Sequence, residues 1–225
     1  MKPHFAPTDL LYALMIVLPL LATALALWAG GWWRHLYVFG ARLLLGALML
    51  GGGLYKLSEN HIPGLMGPPM NHAWLTAQGL VLFAQFIGVA QLLIGVLLLT
   101  RRFALLGAVL LVPMWLNIIF LTWSQNWVGT PWLTTGFLVL TIGLLLHDFN
   151  RLRWVLYPPQ DAAALRALPW RTGGAGLETL WWLGIGILLL GSLLYFISLQ
   201  IMVVTMAAGA ALLLAALVWE WRMRA

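Results

Sequence analysis

Two cations, Arg42 and Lys56, stand inside one long hydrophobic run, fourteen residues apart. At about 100° per residue, fourteen steps return to nearly the same helix face, and Gly46, Met49 and Gly53 fill the stripe between them. A charge buried in a bilayer costs roughly 3 kcal/mol or more, so such residues are retained for a reason. The chemistry that fits is recognition of carbonyl or anionic oxygens, with glycines that would admit a flat ring or a neighbouring helix. The simpler alternative is that Arg42 and Lys56 snorkel to opposite interfaces and the glycines only pack. Amides extend the polar set: Gln78, Gln85 and Gln91 on the next long run and Asn117 on the one after. Counting depth from the helix ends pairs Arg42 with Gln91 deep in the membrane, and Lys56 with Asn117 closer to the outer surface. Amides between transmembrane helices also serve simply to join helices, at roughly 0.6 kcal/mol each.

A second group surrounds a proline-rich connection, ENHIPGLMGPPMNHAW, from Glu59 to Trp74. His61, Met66, Met70 and His72 supply the soft donors that suit copper(I), although their spacing matches no recognised metal signature. With Cys 0, thiol catalysis, disulfides and Cys-ligated centres within this chain are excluded. His35 and His147 fall at helix ends, where contact with the helix terminus is their natural role. There is no phosphate loop, no nucleophile elbow, no HExxH and no alignable internal repeat.

The elements that must position these groups follow from composition. Of 225 residues 63% are hydrophobic and 8% charged, against roughly 25% charged in a soluble domain, so the chain lacks a polar shell and reads as a membrane protein. Hydrophobic runs near the ~20 residues needed to cross a bilayer fall at about 9–30, 36–58, 75–100, 103–124, 131–149, 177–198 and 200–221. The expected fold class is all-α, a polytopic membrane helix bundle of seven transmembrane helices. Pro19 should kink the first, with a neighbour covering the freed carbonyl. The turn at Ser198, Leu199 and Gln200 is weakly marked, leaving a tight hairpin or one broken helix.

With these spans, Arg34, Arg101, Arg102, Arg151, Arg153, Arg166, Arg171, Arg222 and Arg224 fall on one side and Lys2 and Lys56 on the other. The positive-inside rule then puts the amino terminus outside and the carboxyl terminus in the cytoplasm. It also accounts for the net charge of +6 as topology, with no nucleic-acid partner implied. Trp28, Trp32, Trp33, Trp154, Trp170, Trp181, Trp182, Trp219 and Trp221 would form the inner aromatic belt, and Trp74, Trp123, Trp127 and Trp132 the outer. Pro158 and Pro159, then Asp161 as N-cap and Pro169 as terminator, predict a short interfacial helix over 162–168, and Thr172 to Gly176 a flexible link. Glu178 and Glu220 would find partners in Arg171, Arg222 or Arg224, at little energetic weight. Gly184, Gly186 and Gly191 would pack against Gly209, Ala210 and Ala211, or against another subunit in a homo-oligomer.

The stretches ARLLLGALMLGGGLYKL (41–57) and GVAQLLIGVLLLTRRFALLGAVLLVPMWLN (88–117) resemble the four-helix core of the DoxX/DoxD family of bacterial membrane proteins. Arg42, Gly46, Gly53 with Lys56, Gly95, and Arg101 with Arg102 match the family pattern; Gln91 stands where a Glu is usual, and an amide cannot titrate. The resemblance covers a core over 36–154 with the outer loop 59–74; outside it lie an extra N-terminal helix over 1–35, a cytoplasmic interfacial linker over 155–176 and a C-terminal hairpin over 177–225. It further implies a bacterial inner (plasma) membrane location and work beside a redox partner protein, without a shared catalytic constellation. The functional expectation is a quinone-like or other small amphipathic molecule held by Arg42, Lys56, Gln91, Asn117 and Gln85, with Gly46 and Gly53 admitting the ring. As a membrane subunit of a quinone-linked oxidoreductase, the chain need not itself be catalytic. The rivals are a structural or chaperone-like subunit that docks a partner protein, and a small-molecule or copper transporter.

Overall fold

A computed structural model describes residues 7–57, 72–156, 174–194 and 197–223. These residues are helices joined by short turns, with no strand among them. The helices are α1 (Pro7–Ala29), α2 (Gly31–Leu57), α3 (His72–Ala77), α4 (Val81–Leu99), α5 (Ala104–Ser124), α6 (Thr130–His147), α7 (Phe149–Leu156), α8 (Ala175–Leu193) and α9 (Leu199–Arg222).

Among the described residues six helices are long and apolar enough to cross a bilayer, over Leu10–Ala29, Gly31–Leu57, Val81–Leu99, Ala104–Ser124, Thr130–His147 and Gln200–Arg222. The seventh expected crossing falls on α8, whose apolar stretch Ala175–Gly191 is shorter than these. Exposed leucines, tryptophans and valines along the helices mark surfaces that lipid must cover, Leu82 and Trp28 among the most open.

Local chemistry moves several boundaries. Gly30 and Gly31 both take positive φ, 63° and 47°, so α2 starts directly after a tight turn and five residues before the hydrophobic run. Gly79, at φ 66°, separates α3 from α4, which hydrophobicity alone merges into one span. At the other uncertain boundary, Ser198 adopts extended backbone (φ −167°, ψ 136°) and its hydroxyl accepts a hydrogen bond from the Gln200 N–H. This N-cap starts α9 as a separate helix after α8 ends. Replacing Ser198 with Ala should cost about 1 kcal/mol, read as faster amide exchange confined to the first turn of α9. The expected interfacial helix at 162–168 and the loop from 58 to 71 lie outside the described residues.

The chain groups into two packed units, Met1–Leu45 with Ala104–Pro169, and Gly46–Phe103 with Trp170–Ala225. In the first, α1 and α5 each pack on α6. A Cβ at Gly136 would strike the Met15 carbonyl, the group that Pro19 leaves without its helical donor. The glycine thus lets α6 close over the exposed carbonyl, as the sequence required of a neighbour. Deeper in this unit the Trp115 indole N–H donates to Thr141 Oγ1 at 3.1 Å, and Thr141 Oγ1 in turn donates to the Phe137 carbonyl at 2.8 Å. In the second unit α8 and α9 form an extensive antiparallel hairpin. Gly184 meets Leu213 and the Gly209 carbonyl, and Gly191 meets Met206. The expected glycine packing therefore holds at Gly184, Gly191 and Gly209, while Gly186 faces outward and Ala211 is exposed.

Candidate functional site

The second half of α2 carries three successive glycines, Gly51, Gly52 and Gly53, all buried. Each costs a helix roughly 1 kcal/mol relative to Ala, so something must offset the run. What they allow is close antiparallel approach of α4. A Cβ at Gly53 would lie 2.7 Å from the Gly88 carbonyl, one at Gly46 2.8 Å from the Leu99 side chain, and one at Gly95 2.8 Å from Leu50 and 3.0 Å from the Gly46 carbonyl. A Cβ at Gly88 in turn would come within 3.1 Å of Leu57 and 3.3 Å of Lys56. Both helices contribute small residues at both contact points, and dispersion between the backbones replaces the missing side chains.

This crossing fixes which polar groups meet. Gln91 is 3% exposed and lies against Gly52, whose Cβ position is 3.4 Å from Gln91 Oε1 and 3.6 Å from Nε2. Gly52 is also the residue whose carbonyl accepts a long hydrogen bond, 3.5 Å, from Lys56 Nζ. Gln91 Oε1 is buried and has no hydrogen-bond donor among the described residues. A buried amide oxygen left in that state costs roughly 1–3 kcal/mol. The half-buried Lys56 ammonium has three donors to place and makes only a marginal bond to Gly52. The cluster thus offers an empty acceptor and a weakly engaged donor, both gathered around one glycine.

The register corrects the pairing expected from helix depth. Gln91 belongs with Gly52, four residues from Lys56 and ten from Arg42 along α2, so its neighbour in level is Lys56. Counting from helix ends assumed that those ends are flush, whereas the Gly46–Gly95 and Gly53–Gly88 contacts set the register. Gly46 and Gly53 face α4, and the room they open is taken by its backbone and by Leu92 and Leu99. They are crossing points, with no space left there for a ring. Gln85 and Asn117 are exposed on the surfaces of their helices, and Gln78 is exposed in the turn between α3 and α4. Arg42 is half-buried on α2. Of the soft donors, His61, Met66 and Met70 lie outside the described residues, and His72 opens α3. Among the described residues no group of three or more His, Asp or Glu side chains converges on a point.

Two arrangements were not legible beforehand. In the first unit the Thr23 and Tyr37 hydroxyls lie 2.7 Å apart, and Tyr37 donates to the Leu140 carbonyl at 3.3 Å, beside Gly143. Two residues before Tyr37, His35 donates through Nδ1 to the Gly31 carbonyl at 2.8 Å, and its ring meets that of His147 edge-on with centroids 6.5 Å apart, at the shared helix-end level the sequence does indicate for these two. In the second unit Arg101, counted above as a topological charge, is buried: its side chain is 5% exposed, 3.2 Å from Glu220 and 3.9 Å from Glu178. A residue of the α4–α5 turn thus reaches both glutamates, while Arg171 and Arg224, two of their expected partners, lie outside the described residues. Trp181, expected in the interfacial belt, is buried instead and donates its indole N–H to the Leu99 carbonyl at 2.7 Å, next to that cluster.

Comparison with family models, with curated proteins and with solved structures finds no match. What fold and site define is therefore a class: an all-helical, multi-pass membrane protein with a buried amide and an ammonium gathered at a glycine-packed helix crossing.

Proposed function

We propose that this chain holds the polar head of a quinone-like or similar small amphipathic molecule at Gln91, Gly52 and Lys56, and serves a membrane redox partner in that capacity. The observation that carries the reading is Gln91 Oε1, buried without a donor in a low-dielectric setting. A ring carbonyl would accept from the Lys56 ammonium, and a ring hydroxyl would donate to Gln91 Oε1. One site therefore suits both the oxidised and the reduced head group, and the amide supplies this without itself titrating. The resemblance to the DoxX/DoxD family at Arg42, Gly46, Gly53, Lys56 and Gly95 supports the same reading. We propose with it seven crossings, an outer amino terminus and a cytoplasmic carboxyl terminus in a bacterial inner membrane, a topology that puts nearly all Arg residues on one side. Arg42, ten residues from Gly52 along α2, is not part of this head-group site.

The test is lipid extraction of the purified full-length protein followed by quantification of quinone per chain. The wild type should carry close to one quinone. Lys56→Ala and Gln91→Leu should each lower retention about tenfold, the weight of one charged or buried hydrogen bond, while the protein keeps its helical content. Retention by both variants would overturn the site.

A second reading, a structural or chaperone-like subunit with no ligand, is favoured by one observation: α4 fills the Gly46 and Gly53 positions tightly. On that reading Lys56 and Gln91 only join helices, and a protein partner co-purifies with no quinone.

A further inference from the structure

One face of α8 is a groove lined by Glu178, Thr179, Trp182, Leu183, Gly186 and Ile187. Its floor is open, since a Cβ at Gly186 would meet nothing within 4 Å, whereas Gly184, two residues earlier, is filled by Leu213. The two glycines point opposite ways: one makes the hairpin and the other leaves a notch toward lipid. The groove is also graded. Glu178 sits in the first turn of α8, Trp182 follows one turn on with its ring half exposed, and Gly186 and Ile187 lie about 12–14 Å beyond Glu178 along an apolar helix. A charged end followed by hydrocarbon matches the polarity of a lipid entering from the membrane boundary.

Among the described residues that line the groove, Glu178 is the charged one. Arg101 is shared by two carboxylates, and the short contact, 3.2 Å, goes to Glu220. Glu178 lies 3.9 Å from Arg101 with its side chain 36% exposed, and it is this glutamate that opens onto the groove. Among the described residues, Arg102 lies over the Phe103 ring at 5.3 Å and Arg222 is exposed two residues past Glu220. A carboxylate one helical turn from an exposed indole attracts an ammonium group through charge and through the ring face.

We infer that the groove binds an amine-bearing phospholipid, its ammonium at Glu178 and Trp182 and one acyl chain along Leu183, Gly186 and Ile187. The site is separate from the α2–α4 crossing and stands independently of the function proposed there.

Native mass spectrometry of the full-length protein, delipidated in mild detergent and given equal amounts of phosphatidylethanolamine and phosphatidylglycerol, tests this. The wild type should retain phosphatidylethanolamine by about fivefold over phosphatidylglycerol, the scale of one exposed charge and ring contact. Glu178→Gln should bring the ratio to about one, and Gly186→Leu should reduce retention of both lipids by filling the notch. Trp182→Leu, on an outward position, provides a second variant if Glu178→Gln fails to fold, and should also lower the ratio. No preference in the wild type, or a preference unchanged in Glu178→Gln or, where that variant does not fold, in Trp182→Leu, would overturn the proposal. A wild-type dimer that Gly186→Leu dissociates would overturn it too, by assigning the groove to a second copy of the chain.

Discussion

Arg101→Ala should destabilise the unit formed by Gly46–Phe103 and Trp170–Ala225 by about 3–5 kcal/mol, the cost of removing one partner from a buried ion pair. The size follows from burial: the Arg101 side chain is 5% exposed and Glu220 16%, so the carboxylate left behind cannot recover its hydration. Glu178→Gln, which loses only a 3.9 Å contact at a half-exposed group, should cost under about 1 kcal/mol. Unfolding of the two variants in detergent, followed by loss of amide-exchange protection in α8 and α9, measures both. Equal losses for both variants would mean that the triad does not hold the α4–α5 turn to the hairpin as described. Arg101→Lys should fall between them, because an ammonium keeps the charge but cannot present the guanidinium fork to two carboxylates.

Gly53→Leu should cost about 3 kcal/mol, the upper end of overpacking penalties, and should abolish quinone retention through displacement of α4. Even a methyl group there lies 2.7 Å from the Gly88 carbonyl, which is backbone and cannot turn aside. Gly186→Leu provides the internal comparison: the same substitution where a Cβ meets nothing within 4 Å should leave stability nearly unchanged. Thermal denaturation of the two variants side by side checks this, and similar melting points would contradict the packing account.

Legibility in the sequence varied with the range of the interaction. Hydrophobic runs revealed the long helices, because bilayer thickness imposes their length directly. Short-range backbone chemistry was only partly read: the positive φ of Gly79 hides inside an apolar run, and the Ser198 cap was present as a residue type favoured at that position but passed over as weak turn chemistry. The glycine stripe on α2 was visible as a stripe, yet its occupant was not, since glycine admits a helix and a ring equally well. Partners across helices were the least readable. Arg101 looks like one more basic loop residue until the fold brings Glu178 and Glu220 to it. Thr23 and Tyr37, fourteen residues apart on two helices, carry no local signature of their bond. Gln91 was recognised as a polar residue worth notice, but its register depended on where Gly88 and Gly95 let α4 settle.

The central claim is that Gln91 and Lys56 are arranged for a bound head group. The most direct measurement is an experimental density map of the wild-type protein purified in mild detergent, inspected within hydrogen-bond reach of Gln91 Oε1 and Lys56 Nζ. The account predicts a non-protein feature there with a planar head and an apolar tail. A map in which the Gln91 carbonyl oxygen is met by protein side chains or a lone water, with no organic molecule near Lys56, would contradict it.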